Sequence, residues 1–283
     1  MKPAKMTDQH QLLHQAGPEL QAIQAILTDL RTGDVDQAVQ NLQALRETIH
    51  AAIPAKLRIG RGITWVVQRI SDLLAEGCPD AAEFISLAKL LSRCISDSDL
   101  LFGVPIFMMG EVGKRQPEAV FDFFARAADS QDWVVREFAQ GGFRELIGEQ
   151  REAVLPWLKQ MALDKSPNRR RFAAETLRPV TVSRWMFRQP EYSLGVLRLM
   201  FHEAHPYPRT SVGNNLSDLS RRQPELIFNI VQELVATQDK NSYWIAERAC
   251  RNLVKQAPLR VMDILGVDEY HYKDRNFYRS QLS

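Results

Sequence analysis

The feature that most constrains this chain is that it repeats itself. Gln116-Pro117-Glu118-Ala119-Val120-Phe121 returns as Gln189-Pro190-Glu191-Tyr192-Ser193-Leu194 and as Gln223-Pro224-Glu225-Leu226-Ile227-Phe228, with Gln150-Arg151-Glu152-Ala153-Val154-Leu155 as a variant lacking the proline. Aligned on the glutamates at 118, 152, 191 and 225, the copies stand 34, 39 and 34 residues apart. That is the length of a two-helix unit, which cannot bury its apolar face alone and must stack on its neighbours.

Each copy opens with helix N-terminal chemistry. Proline in a first turn forfeits no needed donor, and glutamate complements the positive end of the helix dipole. A second piece recurs downstream, as Arg136-Glu137-Phe138-Ala139, Arg170-Arg171-Phe172-Ala173 and Arg209-Thr210-Ser211-Val212. First helices carry stripes such as Ala119, Phe123 and Ala127, second helices such as Phe138 and Phe143, and strand-type alternation is nearly absent. The expected fold class is all-α: a solenoid of stacked antiparallel HEAT-like helix pairs with a concave basic groove. The segments 18–30, 35–52, 65–75 and 81–95 read as further helices. One repeat domain over 1–283 is expected, with 1–100 as a helical cap or degenerate repeats, 116–265 as regular repeats and 266–283 as a C-terminal tail. That aromatic, charged tail packs on the last repeat or forms an arm against nucleic acid.

With 45% hydrophobic and 25% charged residues, the chain has the balance of a soluble globular protein. The first residues lack a signal peptide's apolar run and no later stretch is long enough to span a bilayer, so a cytoplasmic protein without a membrane partner is expected. Cys78, Cys94 and Cys250 are too widely spaced for a disulfide framework or thiolate metal site and read as reduced, mostly buried small hydrophobes. A formal charge of only +2 hides a run of arginines: Arg169, Arg170, Arg171, Arg178, Arg184 and Arg188, then Arg198, Arg209, Arg221, Arg222, Arg248 and Arg251. Such clustering produces a basic face on a nearly neutral molecule.

Two stretches carry a resemblance. Arg170-Arg171-Phe172-Ala173-Ala174-Glu175-Thr176-Leu177-Arg178-Pro179, followed by Pro208-Arg209-Thr210-Ser211-Val212-Gly213-Asn214-Asn215-Leu216-Ser217-Asp218, resembles the AlkC branch of the AlkC/AlkD-type HEAT-like-repeat bacterial DNA glycosylases. The likeness runs more weakly from Asp132 to Trp244. It implies an enzyme that cleaves the N-glycosidic bond of cationic alkylpurines such as 3-methyladenine or 7-methylguanine in double-stranded DNA, as a monomer without cofactor or metal. It also implies the carriers: Glu175 and Asp218, with Glu137 from the preceding repeat. Thr176 stands where the family has glycine, Gly213 where it has alanine, and the first tryptophan after Arg178-Pro179 is Trp185, two residues later than the family pattern.

The residue types suit that chemistry. A cationic base departs neutral and needs no general acid, so what remains is positive charge on the sugar, which a fixed carboxylate stabilises while orienting a water. Acidic residues facing a polyanion are otherwise a liability. By spacing alone, however, Glu175 and Asp218 read equally as partners in ordinary helix-surface ion pairs with their arginine neighbours. Arg136, Arg170, Arg171, Arg178 and Arg209 are candidate phosphate clamps, though Arg178 at a helix end could instead cap carbonyls or lock neighbouring repeats. Asn214 and Asn215 are candidates for DNA backbone or water contacts, or simply a polar pair. Most tryptophans of such arrays are core; Trp133 is the best candidate for a ring against sugar or lesion, with Trp185 second.

His202 and His205 flank Glu203 without a third ligand beside them, and Gly110-Glu111-Val112-Gly113-Lys114 lacks the spacing of a phosphate loop. The competing function is a non-catalytic HEAT-like adaptor for nucleic acid or protein.

Overall fold

The computed structural model describes residues 16–55 and 62–270. All regular structure among them is helical, and no described helix is long and apolar enough to cross a membrane. Of the expected tail, residues 271–283 lie outside the described residues. The described residues divide into two compact units: one holds those up to Phe124 together with Asp132–Gly142, the other holds Ala125–Gln131 and those from Phe143 to Tyr270.

The first unit contains α1 (Ala16–Thr32), α2 (Val35–Ala52), α3 (Ile63–Gly77), α4 (Ala81–Cys94) and α5 (Gly103–Gly113). Asp34 and Asp80 cap α2 and α4, each side chain accepting from a backbone N–H three residues on; such caps contribute about 1 kcal/mol each. Ala38, Leu42, Leu45 and Ile49 form the buried stripe of α2, each large aliphatic member worth roughly 1.5–3 kcal/mol. Helix α5 is different: ten of its eleven residues are buried, so it fills the middle of the unit rather than covering it. Gly110 explains how closely its neighbour approaches, because a Cβ there would stand 2.6 Å from the Gly142 carbonyl oxygen. Gly110 therefore serves helix packing.

Helix α6 (Phe121–Ala128) and α7 (Trp133–Glu149) pass from the first unit into the second. The second unit continues with α8 (Arg151–Ala162), α9 (Pro167–Thr176), α10 (Pro190–Leu197), α11 (Pro206–Leu219), α12 (Pro224–Ala236), α13 (Lys240–Leu253) and α14 (Pro258–Leu265). First helices of the pairs are α8, α10, α12 and α14; second helices are α9, α11 and α13. The second helices stack on one another in chain order, α9 on α11 and α11 on α13, while α8, α12 and α14 lie against them as the other layer. This is the HEAT-like stacking expected from the repeat.

The first helices begin alike. Gln150, Gln189 and Gln223 have φ between −119° and −129° and ψ between 39° and 60°, and none caps through its side chain. Ala257 (φ −145°, ψ 68°) does the same before Pro258, a further repeat start 34 residues after Pro224 that the sequence comparison passed over for want of the glutamine. Second helices use side-chain caps instead, from Ser166, His205 and Asp239. The core between pairs is aromatic: Phe143 and Phe172 meet edge to face at 5.3 Å, and Trp157 lies 4.9 Å from Phe143 and 5.9 Å from Phe172.

Candidate functional site

One face of the second helices is polar, and its residues fall at three- and four-residue spacing: Arg171, Glu175 and Arg178 on and just after α9, Tyr207, Asn214, Asp218 and Arg221 on and just after α11, and Asn241, Trp244, Arg248, Arg251 and Lys255 on and just after α13. That spacing puts each set on one side of its helix. Arg178, Arg221 and Lys255 each stand two residues past the last helical residue, where the negative end of the helix dipole favours a cation.

The stripes are bonded to one another across the stack. The Arg171 guanidinium lies 4.5 Å from the Tyr207 ring centre. Arg178 donates through Nε and Nη2 to Asp218 Oδ2 at 2.9 and 2.6 Å and through Nη1 to Glu175 Oε2 at 3.2 Å. Arg221 reaches the other Asp218 oxygen at 3.2 Å. Asn214 Oδ1 accepts from Arg248 Nε at 2.9 Å and Arg251 Nη1 at 2.7 Å. Arg209 donates to Asn241 Oδ1 at 2.6 Å with its guanidinium 4.7 Å from the Trp244 ring centre. Glu175 and Asp218 are 7% and 14% exposed in their side chains, Arg178 31%. Burial would lower the Arg178 pKa, but Glu175 and Asp218 outweigh it and raise it, so two desolvated carboxylates share one permanently charged partner.

Beside that triad opens a cleft of about 360 Å³, lined by the cations Arg178, Arg221, Arg248, Arg251 and Lys255 and by a single carboxylate, Asp218. Its remaining wall is polar, with Asn252 donating to the Ser217 carbonyl at 2.7 Å. Glu175 does not line it; Arg144 Nη2 fixes the Glu175 backbone carbonyl from behind at 2.6 Å. Thr176 closes α9 by donating back to Phe172 and Ala173 carbonyls at 2.9 and 3.1 Å.

No family model matches the chain, and no curated protein matches it. Solved structures do. The fold is similar to that of AlkD2 from Streptococcus mutans, with TM-score 0.56 and 20% identity over 75% of this chain and 97% of that one. It is similar also to the Pseudomonas fluorescens alkylpurine DNA glycosylase AlkC bound to DNA containing an abasic site analog, with TM-score 0.56 and 19% identity over 87% of this chain and 66% of that one. A third likeness, to smu.31 from Streptococcus mutans UA159, has TM-score 0.52 and 20% identity over 67% and 98%. The chain has the AlkC/AlkD-type fold. At these identities the likeness is one of architecture.

Within the AlkC/AlkD-type fold, the residues singled out from sequence separate into groups. Glu175, Arg178 and Asp218 come together, with Arg171 3.9 Å from Glu175 and Asn214 on the cleft wall. Asn215 is fully buried, donating to the Ala174 carbonyl at 3.0 Å. Arg170 grips Glu203 at 2.6 and 3.0 Å and also donates to the Asp164 and Lys165 carbonyls. Trp133, Arg136 and Glu137 belong to the first unit; Trp133 is 66% exposed and Glu137 accepts from Gln140 at 3.4 Å. Trp185 lies in the 3-10 stretch Thr181–Phe187, with Arg151 stacked 3.9 Å from its ring centre and Tyr192 against its edge.

Among the described residues no cluster of His, Cys, Asp and Glu could hold a metal. His205 caps α11 through Nδ1, and His202 meets Ser242 at 2.9 Å. Cys78 and Cys250 are buried, their thiols pushed up mainly by that burial to about 11 and about 12, which makes them poor nucleophiles. Cys94 is exposed.

Sequence reasoning passed over the α13 side of the cleft. Arg248 and Arg251 figured only in the arginine series, and Asn252 and Lys255 not at all. The signal was available: Arg248 and Lys255 stand 34 residues after Asn214 and Arg221, the repeat offset itself.

Proposed function

We propose that the chain is a DNA repair glycosylase that hydrolyses the N-glycosidic bond of cationic alkylated bases, of the 3-methyladenine or 7-methylguanine type, in duplex DNA. The observation that carries this reading is the Glu175–Arg178–Asp218 triad at the edge of a cleft otherwise lined by cations. Guanidinium groups spaced along α11 and α13 suit phosphate oxygens, and the likeness in fold to a glycosylase bound to DNA supports that ligand.

Asp218 is the carboxylate that lines the cleft, so it is assigned to the sugar. As a cationic base leaves with the bonding electron pair and becomes neutral, positive charge develops on the deoxyribose ring; a preformed carboxylate stabilises that charge and orients the water that attacks the same carbon. Glu175 adds negative field and holds Arg178. Arg178 bonds both carboxylates, and no metal or cofactor enters the scheme.

One observation favours a second reading. Asp218 already accepts from Arg178 twice and meets Arg221, the saturation of a lock between repeats, as suits a non-catalytic adaptor that binds nucleic acid. Release of 3-methyladenine and 7-methylguanine from methylated duplex DNA, beside Glu175→Gln and Asp218→Asn, separates the two. Release that both substitutions abolish while DNA binding persists supports the glycosylase. Tight, salt-sensitive binding with no release from the unmodified chain supports the adaptor.

A further inference from the structure

Several arginines of the second unit are committed to carboxylates, among them Arg169 to Asp164, Arg170 to Glu203, Arg198 to Glu233, Arg221 to Asp218 and Arg260 to Glu225. Arg184, Arg188 and Arg222 are exposed and have no acidic partner among the described residues. These three converge on a cleft of about 440 Å³, together with Trp185, Phe187 and Gln223. Like charges gathered without a counter-charge cost free energy unless an anion completes the set.

The walls are fixed. Gln223 Nε2 donates to the Phe187 carbonyl at 2.8 Å, tying the turn after α11 to the 3-10 stretch that carries Trp185. The indole is held too, one face under the Arg151 guanidinium at 3.9 Å and its edge against Tyr192 at 5.1 Å, and what remains of its surface lines the cleft. A rigid aromatic surface ringed by uncommitted guanidinium groups matches a phosphate joined to a flat base, since bases stack on aromatic rings whatever their identity. The volume falls in the range of small-ligand clefts, roughly 300–1,000 Å³. Arg221 lines the first cleft and Arg222, next in sequence, the second.

We propose that this second cleft takes an unpaired nucleotide of a nucleic-acid strand, its phosphate held by Arg184, Arg188 and Arg222 and its base against Trp185. The proposal rests on the nucleic-acid-binding part of the reading above and not on its hydrolytic part.

The test is binding of an undamaged, labelled oligothymidine to the full chain across a salt series, so that failure of base excision and failure of this site remain separate results. Arg184→Gln/Arg188→Gln/Arg222→Gln should weaken binding by about tenfold or more and flatten the plot of log K against log salt by roughly 0.7, the contribution of the one phosphate these side chains share on a single strand. An oligonucleotide of the same charge with abasic sugars should bind the unmodified chain several-fold more weakly, and should lose that deficit in the triple variant. Unchanged affinity and slope in the triple variant would overturn the proposal, as would equal binding of the abasic strand. Polyglutamate of matched charge binding as tightly as oligothymidine would also overturn it, pointing to an acidic protein partner instead.

Discussion

Arg178 and Asp218 meet across two neighbouring repeats through paired N–H donors on a single oxygen, at 2.9 and 2.6 Å, although 40 residues separate them in the chain. The same guanidinium holds Glu175, so one side chain bonds the two carboxylates of the candidate site and joins α9 to α11.

Arg178→Gln should therefore be costly out of proportion to its place near the surface. It leaves two mostly buried carboxylates with only Arg171 and Arg221 to offset them. Breaking a fully buried pair costs about 3–5 kcal/mol; with Arg178 31% exposed and Arg221 retained, a loss of about 2 kcal/mol is expected from urea denaturation at neutral pH. No loss of stability would mean that the triad is not a lock.

Gly213→Ala should damage the cleft from inside α11. A Cβ there would stand 2.8 Å from Arg248 Cβ and 3.0 Å from its Cγ, atoms too near the α13 backbone to swing aside. Overpacking of this kind costs about 1–3 kcal/mol, and because Arg248 must shift from Asn214, DNA affinity should fall as well. Thermal denaturation and a binding titration check both.

Gly110→Ala is the corresponding change in the first unit. Its Cβ would meet backbone, the Gly142 carbonyl, so α5 and α7 must separate. A loss of about 2–3 kcal/mol is expected, with binding by the second unit's cleft preserved in whatever fraction remains folded.

Acid should loosen the Arg170–Glu203 bridge. Burial alone would raise the Glu203 carboxyl, but the Arg170 guanidinium and the His205 backbone N–H outweigh it and hold it below its ordinary value. A carboxylate depressed in the folded state contributes stability above its unfolded value of about 4.3 and loses that contribution as pH falls through the folded one. Glu203→Gln should be less stable than the unmodified chain at pH 7, and the gap should narrow below about pH 4, as followed by denaturant midpoints.

If the cleft binds duplex DNA, Arg248→Gln, Arg251→Gln and Lys255→Gln should each weaken affinity regardless of sequence and flatten the salt dependence by about 0.9 per phosphate contact removed. A variant that binds with the unmodified slope marks a side chain that touches no phosphate.

The helices were legible because their signals are local. The proline starts at 190 and 224, the period near 34 and the apolar stripes name the repeat units without reference to anything distant. The Arg178–Asp218 bridge was not legible in the same way, since a helix-end arginine satisfies its dipole, its neighbour Glu175 and a partner 40 residues away with the same atoms, and only packing reveals which. Arg170 illustrates the converse: sequence placed it beside Arg171 as an equal, yet its position on the other side of α9 turns it to Glu203. Trp185 was ambiguous because a 3-10 stretch, not an α-helix, carries it, and helical periodicity says nothing about where such a residue points.

The polar face is fastened between helices more than along them: Arg178 to Asp218, Arg209 to Asn241, and Arg248 and Arg251 to Asn214. A stack held in this manner behaves as a zip, each second helix engaging the next. Peeling α13 away would remove both guanidinium groups from Asn214 and dismantle the cleft while leaving Glu175 and Asp218 in place. Anything bound across α11 and α13 would then act as a pin through adjacent teeth, slowing hydrogen exchange in those two helices, and its residence time would be governed by how often they part.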